Sequence, residues 1–235
     1  MTISLLINSW RRPENVMEIL DTQSQYDLVG EIIVFNNYKK FSLRHDSPKA
    51  KIINSAHDFG LRTRWANMYL ARNECVIFQD DDLILEEDGI EKFYKSHNQD
   101  SGRGYSAWGR NPDDDGNYNM GDARGEIEIM LTRACCVNRR ILPYLIQSEI
   151  KFLSQKDFEY VNGEDIFLSY CLTSFYGKLN RRLSIPYKKL SSDHAISDRS
   201  GHSQQRTKMV RRCKAFFEAR HDEILGGLAE TRSGG

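Results

Sequence analysis

A chain of 235 residues with 40% hydrophobic, 28% charged and 11% aromatic residues carries enough apolar material for one α/β core, which excludes a disordered or fibrous protein. Lysine plus arginine equals aspartate plus glutamate at 33 each, so the overall charge calls for neither nucleic acid nor an anionic membrane surface. No apolar stretch approaches the roughly 18–20 residues of a transmembrane segment, and no basic leader precedes the first strand pattern, so the expectation is a cytoplasmic protein, one peripheral at the membrane, or a domain of a larger protein.

Residues 2–8 form an apolar run ended by Ser9-Trp10-Arg11-Arg12, after which Pro13 opens a helix whose inner face is Val16, Ile19 and Leu20. Residues 31–35 read as a second strand closed by Asn36-Asn37, and residues 51–54 as a short third. Gly60 then introduces a helix over 61–72 with Leu61, Trp65, Met68 and Tyr69 on one face, and the strand at 75–78 runs into Asp80-Asp81-Asp82. Strand and helix patterns alternating at this spacing predict parallel βαβ units in a single α/β domain, with ligands outside the carboxyl ends of the strands. The loops at 9–12, 36–37 and 80–82 are then expected on one edge of the sheet.

Beyond Asp88 the pattern predicts a surface helix over 90–97, a Gly-, Asp- and Asn-rich loop over 99–125, and a strand over 127–137. Tyr105, Trp108 and Tyr118 in that loop read as anchors in preference to sugar-stacking rings. Gly163-Glu164-Asp165 opens a helical pattern carrying Ile166, Phe167, Tyr170 and Cys171. Residues 193–202 are polar and expected to be mobile. Arg206, Met209, Val210, Cys213, Phe216 and Phe217 share one face of a terminal amphipathic helix, with a frayed tail from Leu225. The expected division is a first half at 1–88, a second half at 89–225, and a flexible tail at 226–235. Five cysteines, without CxxC or Cys/His spacing and mostly in apolar runs, are expected as reduced, buried thiols.

Two carboxylates one residue apart at a sheet edge can hold a hard divalent cation beside a phosphate, although a solvated acidic turn competes with that reading. Arg62 and Arg64, in the first turn after Gly60, are candidate anion contacts or surface arginines. Arg206 lies on the buried face of its helix and therefore needs an anionic partner: Glu164, Asp165 or a phosphate. Asp165 serves either as the N-terminal charge of its helix or as a carboxylate at a reacting centre. His194 and His202 read as solvated loop histidines in preference to metal or phosphate ligands.

Together, Ile3-Ser4-Leu5-Leu6-Ile7-Asn8-Ser9-Trp10-Arg11-Arg12, Asn36-Asn37, Arg62-x-Arg64 and Phe78-Gln79-Asp80-Asp81-Asp82 resemble the GT-A glycosyltransferases. More narrowly, Asn162-Gly163-Glu164-Asp165-Ile166 resembles the Asn-Cys-(Glu/Asp)-Asp-Ile motif of the exostosin-like family, glycosyltransferase family 64, and Gln205-Arg206-Thr207 resembles its Gln-Arg-Ser. Ile129-Met130-Leu131-Thr132-Arg133-Ala134 is similar to its Ser-Met-Val-Leu-x-Gly-Ala strand, so the likeness runs from residue 2 to about 217.

The resemblance implies a GT-A fold, with a mostly parallel central sheet between helices. It also implies a retaining transferase that uses Mn2+ or Mg2+ and moves a hexose or N-acetylhexosamine from a UDP-sugar to a glycan or glycolipid. By motif position, Asn8, Ser9, Arg12, Asn37, Arg62, Arg64 and Asp81 would contact the nucleotide-sugar and Asp80 its ribose. Asp82, with Asp80, would hold the metal. Asp165 would be the catalytic carboxylate, Asn162 would neighbour sugar or acceptor, and Arg206, catalytic with Asp165, would face the diphosphate or donor. Gly163 stands where that family has a cysteine and Met209 near the position of its partner, so the implied disulfide is missing. An Asp165–Arg206 or Glu164–Arg206 pair is the expected substitute, and the loss suits a reducing compartment. An inverting transferase with Glu164 or Asp165 as general base, or a non-catalytic binding module of a larger polymerase, remain the alternatives. A nucleotidyltransferase is disfavoured by the missing Gly/Lys-rich phosphate cradle.

Overall fold

The computed structural model describes residues 2–155, 163–191 and 201–232. In chain order, β1 (Ile3–Ser9), α1 (Pro13–Gln23), β2 (Val29–Asn36), β3 (Ala50–Asn54), α2 (Thr63–Leu70) and β4 (Cys75–Asp80) make the first half. There follow β5 (Leu83–Leu85), α3 (Glu87–Gln99), β6 (Tyr105–Ser106), β7 (Gly109–Arg110), β8 (Glu126–Ile127), β9 (Ile129–Met130) and β10 (Ala134–Asn138). A 3-10 turn (Arg139–Ile141) leads into α4 (Leu142–Leu153), and α5 (Glu164–Tyr176), β11 (Asn180–Arg182), β12 (Tyr187–Lys189) and α6 (His202–Arg232) complete the chain.

Eight strands form the central sheet in the order β3-β2-β1-β4-β10-β6-β11-β8, while β5–β12 and β7–β9 are separate two-stranded ribbons. From β3 to β4 every pairing is parallel, as the alternating pattern predicts; β10 then runs antiparallel to both β4 and β6. Because side chains alternate across a strand, the sheet buries both faces. Leu6, Ile33, Val76, Phe78 and Cys135 face α2, α4, α5 and α6, whereas Leu5, Ile7, Ile32, Val34, Ile77 and Cys136 face α1 and α3.

Four expectations need revision. The strand at 127–137 is broken into β8, β9 and β10, because residues 131–133 leave the ladder and send Thr132 to Glu164 and Arg133 to Asp82. Tyr69 is 67% exposed, and the buried position next to Met68 goes to Asn67, whose Nδ2 donates to the Ile7 carbonyl at 3.2 Å. Helix α4 had no counterpart in the sequence reading, although Pro143 at its start and the buried series Leu142, Leu145 and Phe152 are its signal. His202 is the first residue of α6 instead of a loop residue. The five cysteines are free and buried, as expected.

The register fixes the functional edge. Asn8 lies opposite Asp80, and Ser9 opposite Asn36, so the three polar loops leave the sheet side by side.

Candidate functional site: two carboxylate centres joined by arginines

Each aspartate of the triplet leaves β4 in a different direction and meets a different arginine. Asp81 is buried; its Oδ2 accepts the Trp10 N–H at 2.9 Å and its Oδ1 lies 2.5 Å from Arg12 Nη1. Its carbonyl accepts Asn15 Nδ2 at 2.8 Å. Burial pushes the Asp81 carboxyl up to about 6 even though Arg12 and the Trp10 amide pull it down. Both oxygens of this acid therefore serve to fasten the first loop. Arg11 in that loop holds a left-handed backbone (φ 64°), and its guanidinium stacks 4.2 Å above Trp10.

Asp80, with its side chain 32% exposed, pairs through Oδ1 with Arg64 Nη2. The fully enclosed Arg64 also donates from Nη1 to the Thr132 carbonyl at 3.4 Å and brings Nε within 3.5 Å of Glu164 Oε1. Burial works against its charge, yet Asp80 and Glu164 outweigh that and push its pKa up. Asp82 faces Arg133, with Nε 3.4 Å from Oδ1 and Nη2 3.4 Å from Oδ2. Burial and the charge on Asp80 raise the Asp82 pKa against the pull of Arg133 and Arg12.

The second centre lies at the start of α5. Arg206 Nη2 donates to Asp165 Oδ2 at 2.6 Å, with the two side chains only 6% and 7% exposed, and the Arg206 guanidinium stacks 4.3 Å from the Tyr118 ring. Tyr118 is tied to the same helix, since its N–H donates to Thr207 Oγ1 at 3.0 Å. Of the two carboxylates expected as partners of Arg206, the structure thus selects Asp165. Glu164 turns instead to Thr132 Oγ1, which donates to it at 3.0 Å, and to Arg64; burial and neighbouring Asp165 raise its pKa. Arg64 therefore bridges the centres, touching Asp80 on one side and Glu164 on the other.

Gly163 makes this junction possible. Its φ of 121° is open only to glycine in practice, and a Cβ there would lie 2.7 Å from Met209 Cγ. Where the sequence suggested a missing covalent link, there is close packing of α6 on the α5 turn, beside an ion pair.

The remaining expected residues divide. Asn37 Nδ2 donates to the Gly60 carbonyl at 3.2 Å and Thr63 Oγ1 at 3.0 Å, its Oδ1 accepts the Phe59 N–H at 3.2 Å, and its own N–H donates to the Ser9 carbonyl at 2.9 Å. Asn8 Nδ2 donates to the Leu61 carbonyl at 3.2 Å. Ser9 Oγ is buried without a hydrogen-bond partner among the described residues. These three line the edge with Asp80. Arg62 is engaged elsewhere: its Nε donates to Glu149 Oε1 at 3.0 Å, the oxygen that also accepts Trp65 Nε1 at 3.0 Å. Asn162 and His194 lie outside the described residues. His202 is near Arg206, and burial followed by that positive charge lowers its pKa. Thr132, Arg133 and Tyr118 were not singled out as site residues from sequence. Arg133, an arginine in an otherwise apolar strand pattern, was the available signal.

Asp80 and Asp82 suit a hard divalent cation. Both offer carboxylate oxygens, and Asp82 titrates high partly because Asp80 repels its charge, which a cation between them would reverse. Among the described residues no three His, Cys, Asp or Glu side chains gather into a metal site, so a cation held by Asp80 and Asp82 would need further ligands from elsewhere.

No curated protein sequence matches the chain. Among solved structures, the crystal structure of GalNAc-T7 with UDP, GalNAc and Mn2+ is similar, with a TM-score of 0.57 at 12% identity over 91% of this chain and 48% of that one. The chain thus spans about half the length of that protein, and what the two share is the GT-A fold. The family model described as the glycosyl transferase family 64 domain matches residues 3–221, from β1 into α6 and across both carboxylate centres. The chain belongs to glycosyl transferase family 64.

Proposed function

We propose that the chain transfers a hexose or N-acetylhexosamine from UDP to a hydroxyl of a glycan or glycolipid, with retention of anomeric configuration. The observation that carries this reading is the paired arrangement of Asp80–Arg64 and Asp165–Arg206, two acid–arginine centres joined through Glu164. Breaking the bond between an anomeric carbon and a diphosphate builds negative charge on the leaving group and positive charge on the sugar. One centre supplies each need. Asp82, with Asp80, holds Mn2+ or Mg2+, which supplies Lewis-acid neutralisation of the diphosphate when bound. Arg64 and Arg206 orient the same diphosphate with guanidinium donors, and Asn8, Ser9, Arg12 and Asn37 shape the nucleotide side of the edge.

Asp165, at the start of α5, is the carboxylate this reading assigns to the sugar. Its contact with Arg206 sets a cation against it in a buried place and fixes its orientation toward a positive anomeric centre. With retention, the departing phosphate takes the acceptor proton on the face from which it leaves, which requires the acceptor hydroxyl to be held beside it. Residues 1–88 then serve the nucleotide and residues 89–225 the acceptor. The similarity to a structure solved with UDP, GalNAc and Mn2+ supports a UDP-sugar and a divalent metal. No helix among the described residues is long and apolar enough to cross a membrane. Five free, buried cysteines support a reducing, cytoplasmic setting.

The test is transfer from UDP-GlcNAc, UDP-GalNAc and UDP-hexoses with Mn2+, the product configuration being read by NMR. Asp82→Asn should abolish metal-dependent turnover with the fold intact, and Asp165→Ala should keep UDP binding while losing transfer. Undiminished turnover by Asp82→Asn sinks the metal role; an inverted product sinks retention.

A further inference from the structure

Arg133 lies in the segment that resembles the family's Ser-Met-Val-Leu-x-Gly-Ala strand, where the resemblance gives it no role, yet it is bound to the aspartate turn twice. Its carbonyl accepts the Asp80 N–H at 2.9 Å, which fixes its backbone to the end of β4. Its guanidinium spans both oxygens of Asp82, at 3.4 Å each, and stacks 4.8 Å from the centre of the Trp108 ring. Trp108 is in turn held edge-on by Tyr187 at 4.8 Å. Contacts of 3.4 Å lie at the long end for a charge-assisted pair, and the two side chains are 31% and 13% exposed. The fork is aimed at Asp82 without being locked onto it, and the indole gives it a surface on which to slide.

We propose that Arg133 is the side chain an incoming divalent cation displaces: it neutralises Asp82 while no cation is bound, and turns over Trp108 toward the donor diphosphate when the cation takes the carboxylate. This rests on the metal-and-diphosphate reading above. A planar fork suits both tasks, since carboxylate and phosphate oxygens present the same bidentate acceptor. The consequence is a coupling between ligands. Cation binding must first break the Arg133–Asp82 contact, and a diphosphate offers the released guanidinium a new partner, so each ligand strengthens binding of the other. Cation alone is then held weakly and the cation–diphosphate pair strongly, which prevents the site from filling with metal before donor arrives.

The experiment titrates Mg2+ into the full chain by calorimetry, with and without UDP, and follows Trp108 emission as the part of the signal missing from Trp108→Phe. Arg133→Gln should bind Mg2+ about fivefold more tightly than the parent without UDP, the size of a partly exposed ion pair. The enhancement of Mg2+ affinity by UDP should shrink in that variant. The parent should show a Trp108 emission change on Mg2+ saturation that Arg133→Gln lacks. Equal or weaker Mg2+ binding by Arg133→Gln, or a Trp108 response that persists in it, overturns the displacement. A parent protein that binds no divalent cation even with UDP present removes the Asp80–Asp82 metal reading itself, and the displacement with it.

Discussion

Gly163→Ala tests whether packing at the α5 turn has taken over the work of a covalent tie. At φ 121° a side chain is strained at about 1–3 kcal/mol. The new Cβ would also sit 2.7 Å from Met209 Cγ, a carbon near the backbone of α6 that cannot swing clear as a side-chain tip can. Forcing a methyl into such a place costs a further ~1–3 kcal/mol. The two effects separate in a double-mutant cycle. Met209→Ala alone creates a cavity at a position that is 1% exposed, costing roughly 2–5 kcal/mol. In the double mutant the clash vanishes while the backbone strain stays, so Gly163→Ala should cost about 1–3 kcal/mol less there than in the parent. Urea unfolding followed by far-UV dichroism gives the four stabilities, and transfer assays on the same proteins report whether the Asp165–Arg206 contact survives. Strictly additive costs would refute the claim that Gly163 and Met209 replace a tie by contact.

Three further outcomes follow from individual side chains. Arg206→Met strands Asp165 as a buried carboxylate without its cation, at about 3–5 kcal/mol, whereas Arg206→Met combined with Asp165→Leu should recover most of that stability without recovering transfer; a double mutant no more stable than Arg206→Met would show that the pair is not the seat of the loss. Arg64→Lys keeps the charge but loses the fork that reaches Asp80, the Thr132 carbonyl and Glu164 together, so UDP affinity measured by calorimetry should fall about tenfold, and unchanged affinity would remove Arg64 from the nucleotide site. Glu31 is buried at the opposite end of β2. Burial alone would raise its pKa, but Lys51, the Arg72 amide and Ser4 Oγ reverse that and hold it below the usual glutamate range. A carboxyl lowered in the folded state stabilises fully above its unfolded value, about 4.3, and loses that contribution as pH falls through the folded value. Because Lys51 and Arg72 are largely solvated, Glu31→Gln should cost a modest ~1–2 kcal/mol at pH 7. The gap to the parent should narrow as pH falls below that unfolded value and through the lower folded one, and a pH-independent gap in urea midpoints would be evidence against it.

The parallel half was legible because its signals are local. The apolar runs of β1, β2 and β4 end at polar residues, and in a parallel sheet of known polarity those ends must share an edge; the Asn8–Asp80 register follows. Arg206 was legible for the same reason, as a charged residue on an otherwise buried helix face, and its partner was narrowed to Glu164, Asp165 or a phosphate. Arg64 stayed open between an anion contact and a surface arginine, since periodicity gives the direction of a side chain and not its distance from another element. Thus Arg62, only two residues from Arg64, turns to Glu149 on α4, a helix the sequence reading lacked. The interruption between β9 and β10 was illegible because residues 131–133 keep an apolar, strand-like pattern around Thr132 and Arg133. Only the positions of Glu164 and Asp82 in space make leaving the ladder favourable.

The edge as a whole is a set of carboxylates each answered by an arginine: Asp80 by Arg64, Asp81 by Arg12, Asp82 by Arg133 and Asp165 by Arg206. Leaving buried acids and arginines unpaired would be costly, so a site rich in both must neutralise itself when empty. That neutrality restricts what can enter. A nucleotide diphosphate alone would free carboxylates from their arginines, and a divalent cation alone would free arginines from their carboxylates. On the proposed reading, a cation entering with the diphosphate would take Asp80 and Asp82 while the diphosphate takes the arginines they release. The pairing of Asp81 with Arg12 is the exception, because both Asp81 oxygens are already committed to the first loop, with Trp10 as well as Arg12. Asp81 should therefore hold the loop in the same place whether the site is empty or filled, and Asp81→Asn should loosen nucleotide binding with and without metal by the same factor. A loss that appears only when metal is present would make Asp81 a member of the cation site and break the division of labour among the three aspartates.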